Sequence, residues 1–254
     1  MTETEPIPTA GAPDATAPAF YAMRGGGWRD YLTLLHPPYT IWHLSYVALG
    51  WAAAPAAHAD RLVASLVAFF LAVGIGAHAL DELNGRPLRT AIPTRTLIAL
   101  AGVTIALACA IGIVAAARTS WWLLAFVAFG GFIVCAYNLE WLGGRFHSNT
   151  WFAIAWGAFP ALTASFGNAS RLRWEGFFVA AACFALSHAQ RTLSTPVRDL
   201  RRRTRTVAGQ IERTDGTIKR LDAAAMRAAP ESALRWMSLA LPLIAAGFVV
   251  AKLG

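Results

Sequence analysis

Residues Ala77–Pro93, AHALDELNGRPLRTAIP, decide how this chain is read. They close an apolar run that begins near Leu62 and put charge where that run ends. On a helix, His78, Asp81, Glu82 and Gly85 fall at i, i+3, i+4 and i+7, so they share one face. Arg86, Arg89 and Arg95 follow within a few turns. Acid at a helix end with arginines just beyond suits a metal ion or a polyanionic ligand at a membrane surface. The plainer reading is that these charges cap a helix and meet lipid headgroups, because ionisable groups are cheap at helix ends and costly only deeper inside.

The apolar run is one of several. Of 254 residues, 56% are hydrophobic and 14% charged, against about 25% charged in a soluble domain. A span needs about 20 mainly apolar residues. Seven stretches qualify as candidates: roughly Thr40–Ala57, Leu62–Leu80, Thr96–Ala117, Trp121–Leu139, Thr150–Gly167, Glu175–Thr192 and Leu234–Val250. Runs of this length are too long for barrel strands, and backbone groups in hydrocarbon must be satisfied internally. The expected fold is therefore all-α, a multi-pass transmembrane helical bundle of about seven spans.

The net charge of +8 fits this address better than it fits a nucleic-acid partner. With the N-terminus inside, the inner loops carry Arg86, Arg89 and Arg95, then Arg145, then the run from Arg191 to Arg227. The outer loops carry Arg61, Arg118, Arg171 and Arg173. That asymmetry is the positive-inside pattern and predicts N-in, C-out, in a plasma (inner) membrane. Cys109, Cys135 and Cys183 all fall within the expected spans and make no disulfide framework or CxxC site.

Residues 1–23 read as a disordered tail, Pro, Ala and Thr rich to about Ala19, without the basic-then-apolar order of a signal peptide. Residues 24–254 form one domain. Gly25–Gly27 makes a joint, and Trp28–Leu35 suits a short amphipathic helix on the inner surface. Trp42 and Tyr46 read as interface aromatics, and His43 as a histidine hydrogen-bonded within the bundle. In the fifth span Gly157 and Pro160 loosen the backbone ladder, and small residues there favour close helix packing. After Ser187–Thr192 comes the longest polar stretch, about 193–233, expected to be a basic, partly helical cytoplasmic loop carrying Arg198, Asp199 and Arg201–Arg203. Attraction to anionic lipid is the alternative explanation for its outer arginines.

Two arginine-bearing loops, after the second and sixth spans, resemble the organisation of the UbiA superfamily of intramembrane prenyltransferases. In that family Asp-rich motifs of the type NDxxDxxxD and DxxxD hold magnesium ions that bind a prenyl diphosphate. His78-Ala79-Leu80-Asp81 is similar to the N/D-x-x-D element, and Arg89-Thr90-Ala91-Ile92-Pro93-Thr94 to the R-P-I-P-S-G segment. Tyr137, with Arg145 eight residues on, resembles the tyrosine and basic residue after helix four. AWGAFPAL resembles the G-x-L-P stretch, and Arg198-Asp199-Leu200 the start of R-D-I-E-G-D. The chain departs from the family at His78, at Gly85 where an Asp is usual, at Thr195-Pro196 in place of Asn-Asp, and at Arg201–Arg203 in place of acids. The family has nine helices where seven are expected here.

The resemblance implies transfer of a prenyl group from its diphosphate to a membrane-associated acceptor. A variant that cyclises the prenyl chain, or a non-catalytic isoprenoid or lipid binder, are the alternatives. It assigns catalysis to Asp81, Asp199 and Tyr137, and Mg²⁺ to Asp81, Glu82 and Asp199. Substrate binding falls to His78, Arg86, Arg89, Arg145, Arg191, Arg198 and Arg202. Mg²⁺ is commonly held by one or two carboxylates plus phosphate oxygens and neutralises a leaving group as a Lewis acid. Loss of acids coinciding with gain of arginines points to a site in which bidentate arginine contacts share that work.

Overall fold

In the computed structural model, which describes residues 18–23 and 25–254, the chain is a bundle of long helices with one small hairpin. The rest of the expected tail, residues 1–17, lies outside the described residues. Helix α1 (Trp28–Leu34) precedes α2 (Pro37–Ala53). Helix α3 (Ala59–Leu83) is continuous but contains a π-helical stretch over Phe70–Ala77. Then come α4 (Thr94–Arg118), α5 (Leu123–Asn138) and α6 (149–169), the last with a π stretch over Ala153–Ala158. Helix α7 (Trp174–Arg202), strands β1 (Gly209–Glu212) and β2 (Ile218–Leu221), and α8 (Ala223–Leu253) complete the chain.

Three of these helices, α3, α4 and α8, are long and apolar enough to cross a membrane, and α5 is a shorter apolar helix. At 17 residues α2 falls short on length. Helix α7 has the length but turns strongly polar over its last turns. Helices α2, α6, α7 and α8 pack on one another, while α3 and α5 pack on α4. Close approach depends on small residues. A methyl group at Gly50 would run into the Ala161 carbonyl where α2 crosses α6, and one at Gly157 would sit 2.6 Å from the Cys183 carbonyl where α6 meets α7.

The break in α6 has a local cause. Pro160 has no N–H to donate, and the carbonyl four residues before it belongs to Trp156. His43 Nδ1 donates to that carbonyl at 2.8 Å from α2. The expected bundle histidine thus compensates for the expected proline.

Two expectations about the basic stretch 193–233 are corrected. Helix α7 continues through Pro196 to Arg202, so the first ten residues are helical rather than loop. The segment beyond is an antiparallel hairpin, Gly209 opposite Leu221 and Glu212 opposite Ile218, so the fold is not purely α. Asp215 accepts from the Thr217 N–H at 2.9 Å and its hydroxyl at 2.7 Å, and Gly216 takes φ +81°, which fixes the turn.

Candidate anion site

The acid and the arginines of the opening stretch part company. Glu82 is fully buried, and both its oxygens are taken within the chain. Oε2 accepts from the Leu88 N–H at 2.9 Å; Oε1 accepts from the Thr90 N–H at 2.8 Å and the Thr90 hydroxyl at 2.9 Å. Arg86 donates to the Ile92 carbonyl at 2.6 Å and to Thr94 Oγ1 at 2.9 Å. Asp30 of α1 accepts from the Ala91 N–H at 2.9 Å. The loop 84–93 is therefore tied by its own polar groups. Glu82, expected as a metal ligand, and Arg86, expected to bind substrate, are scaffold. Arg89 is exposed and lies outside the cavity described next. One residue of helix is about 100° of rotation, so Asp81 and Glu82 face different ways despite being neighbours.

Asp81 and His78 instead face a cavity of about 410 Å³, also lined by Tyr137, Arg191, Arg198, Asp199 and Arg202. The continuation of α7 explains the arginines. Positions 191, 198 and 202 are i, i+7 and i+11 of one helix and fall on one face. Arg201 also borders the cavity, but its guanidinium makes a buried ion pair with Glu231 of α8 at 2.7 Å. Arg191, Arg198 and Arg202 have no carboxylate within ion-pair distance among the described residues. Arg191 Nε donates to Asn149 Oδ1 at 3.1 Å and its guanidinium lies 5.2 Å from the Phe152 ring. Arg198 donates to the Thr195 hydroxyl at 3.1 Å. Burial, then repulsion from Arg191 and Arg202, pulls the Arg198 guanidinium down to about 10, which leaves it charged at neutral pH. An anion placed among the three would relieve that repulsion.

Asp199, on the rim, is half exposed and 3.6 Å from Arg203. Arg145, expected beside Tyr137, is exposed and outside the cavity. Its place is taken by His147, whose ring stacks on Tyr137 at 4.5 Å. The reversal after α5, with positive φ at Glu140, Leu142, Gly143 and Gly144, swings His147 round to the cavity.

Residues not singled out in the sequence also line the cavity. His36, in the left-handed region at φ 46°, stacks on His78 with ring centres 4.1 Å apart. The Tyr21 hydroxyl lies 2.8 Å from His36 Nδ1. Residues 18–23, expected in the tail, pack here: Ala19 is buried, and the Met23 N–H donates to Thr33 Oγ1 at 3.1 Å. Burial holds His36 well below the usual histidine range, with His78 adding to the effect. Three buried polar atoms on this cavity's wall, His36 Nε2, Tyr137 Oη and Gln190 Oε1, have no hydrogen-bond partner among the described residues. Buried polar atoms are normally paired, and each left unpaired costs about 1–3 kcal/mol.

An apolar groove of about 540 Å³ lies alongside, between α3, α4, α5 and α6. Val73 and Trp156 line both it and the polar cavity. From there it runs to Arg61 and Arg118 at the opposite ends of α3 and α4. Among the described residues no three His, Cys, Asp or Glu side chains group closely enough to hold a metal ion. Comparison with known proteins adds no relative: no family model, curated protein or solved structure matches the chain.

Proposed function

We propose that this chain is a membrane bundle of seven spans that binds a prenyl diphosphate and transfers its prenyl group to a membrane-associated acceptor. One observation carries the reading. Three arginines, Arg191, Arg198 and Arg202, with no acid partner among the described residues, line a cavity that adjoins a long apolar groove through Val73 and Trp156. A ligand with an anionic head and an apolar tail fits both parts. Arg191, Arg198 and Arg202 hold the diphosphate by charge-assisted, bidentate contacts. The prenyl chain lies in the groove. The bias of positive charge toward the cavity end supports a cytoplasmic mouth.

The reaction needs the allylic C–O bond to break heterolytically, with the diphosphate leaving with the electron pair. The resulting cation is captured by an acceptor, which loses a proton. Fixed cations at the leaving oxygens stabilise charge where it develops and need no reorganisation at that moment. The aromatic faces of Tyr137 and Trp156, 5.5 Å apart, flank the path from head to tail. The donor set does not fit a resident magnesium pair, because Glu82 is consumed by the loop and the acids left on the cavity wall, Asp81, Glu140 and Asp199, belong to no cluster close enough to hold a metal ion among the described residues. A single ion carried in by the diphosphate is the most these residues accommodate.

The test is pyrophosphate release from prenyl diphosphates by the detergent-purified protein, with and without lipid extract. Release that depends on extract and falls at least tenfold in Arg198→Ala supports transfer. Release without extract favours cyclisation of the chain. Tight donor binding with no release by wild type would replace the enzyme by the second reading, a non-catalytic isoprenoid-lipid binder, which the scarcity of cavity acids also favours. Neither binding nor release would refute both.

A further inference from the structure

The N-terminal segment that crosses the cavity touches two of its anion-facing donors. Pro18, Ala19, Phe20 and Tyr21 all line the cavity. The Pro18 carbonyl accepts from Arg202 Nε at 3.1 Å, which anchors the guanidinium by one edge and leaves its two terminal nitrogens for another acceptor. The Tyr21 hydroxyl reaches His36 Nδ1. Phe20 is the anchor: it lies edge-on to Tyr39 at 6.3 Å, and Arg235 of α8 sits 5.3 Å from its ring. Tyr21 also packs edge-on to Tyr39 at 5.6 Å, so both aromatic rings of the segment grip one residue of α2.

The hydrogen bond between Tyr21 and His36 is compatible with two imidazole tautomers, and one of them leaves a donor free for an anion. Burial raises the Tyr21 phenol, so it keeps its proton and can donate. A neutral imidazole that accepts at Nδ1 carries its hydrogen on Nε2. That Nε2 is buried and has no partner among the described residues. The opposite tautomer donates from Nδ1 to the phenol oxygen, leaves the phenolic proton without an acceptor among the described residues, and gives Nε2 a lone pair that cannot donate to an anion.

Resting on the anion-site reading above, we propose that Pro18–Tyr21 is a working part of that site. Tyr21 positions His36 as a neutral Nε2–H donor, and Pro18 positions the Arg202 guanidinium, both toward the phosphate oxygens of a bound diphosphate. The segment thus supplies no charge of its own and sets the geometry of two groups that do the binding. Tyr21 is a positioning residue; His36 is the one that meets the anion.

The test is calorimetric binding of inorganic pyrophosphate to the full chain in detergent. Tyr21→Phe keeps the ring packing and removes the hydroxyl; loss of one such hydrogen bond is expected to weaken binding about three- to tenfold. His36→Ala weakens it at least as much. His36→Gln, whose amide nitrogen falls near the Nε2 position, recovers most of the affinity, and adding Tyr21→Phe to it costs nothing further. Wild-type affinity in Tyr21→Phe and His36→Ala would overturn the proposal while leaving the arginine site intact. Equal loss in His36→Ala and His36→Gln would also overturn it, since packing alone would then explain the effect. Failure of wild type to bind pyrophosphate would refute the anion site itself and this inference with it.

Discussion

Replacing Glu82 separates scaffold from site. Its carboxylate accepts three hydrogen bonds, from Leu88 N, Thr90 N and Thr90 Oγ1, in a place with no access to water. Bonds to a charged acceptor contribute about 1.5–3 kcal/mol each. At the lower figure, Glu82→Ala is expected to cost about 4–5 kcal/mol, with two backbone N–H groups left buried and unpaired. For a chain of this size that is a fall of roughly 9–18 °C in melting temperature. Glu82→Gln retains an oxygen for Thr90 but turns an amide N–H₂ toward one of the loop donors, and is expected to cost about 1–3 kcal/mol. Asp81→Ala is the control. Asp81 has no hydrogen-bond or ion-pair partner among the described residues, so its removal should leave the melting temperature nearly unchanged while altering ligand binding. The assay is thermal unfolding in detergent, followed by circular dichroism or by a thiol-reactive dye on the internal cysteines. If Glu82→Ala melts like wild type yet loses ligand binding, Glu82 is a ligand to something in the cavity and the scaffold assignment fails.

Arg198→Ala and Arg201→Ala, three residues apart, should fail differently. Arg201→Ala strands Glu231 in a buried position and is expected to cost about 3–5 kcal/mol of stability, whereas Arg198→Ala should leave melting unchanged or raise it while weakening anion binding. His43→Ala is expected to cost about 1–3 kcal/mol by orphaning the Trp156 carbonyl; adding Pro160→Ala, which restores the helical N–H, should recover part of that loss, and a double-mutant cycle measures it. His36 makes stability pH-dependent. Its folded pKa lies below the unfolded value of about 6.5, so the unfolded chain binds more protons between the two. Its contribution is complete above about pH 6.5 and is lost as pH falls below that; the difference in melting temperature between wild type and His36→Gln should therefore shrink between pH 7.5 and 5.5.

Much of the helical architecture was legible because hydrophobic runs and breakers act locally. The apolar run ending near Leu80 and the soft spot at Gly157–Pro160 both appear where composition puts them. Even the His43 contact was foreshadowed, since a histidine in an apolar helix needs a partner. What local reading missed was direction. Asp81 and Glu82 are adjacent acids, and only the fold of residues 84–93 decides that one is consumed and the other left facing the cavity. The arginine face depends on α7 continuing through Pro196, which sequence rules read as a stop. Extending the helix by ten residues turns scattered loop charges into a single row. His36 and Tyr21 were invisible for another reason: their pairing bridges fifteen residues and a polar segment that composition alone assigns to a tail. The one signal available was a histidine held before Pro37-Pro38, where the backbone has few choices.

The most direct test of the account is calorimetric titration of pyrophosphate into the purified protein in EDTA, comparing wild type with Arg198→Ala, Arg202→Ala, Arg89→Ala and Asp81→Ala. The arginine site predicts binding without divalent metal, weakened at least tenfold by loss of Arg198 or Arg202 and unaffected by loss of Arg89. Binding that appears only with added Mg²⁺, abolished by Asp81→Ala and indifferent to Arg198, would contradict it.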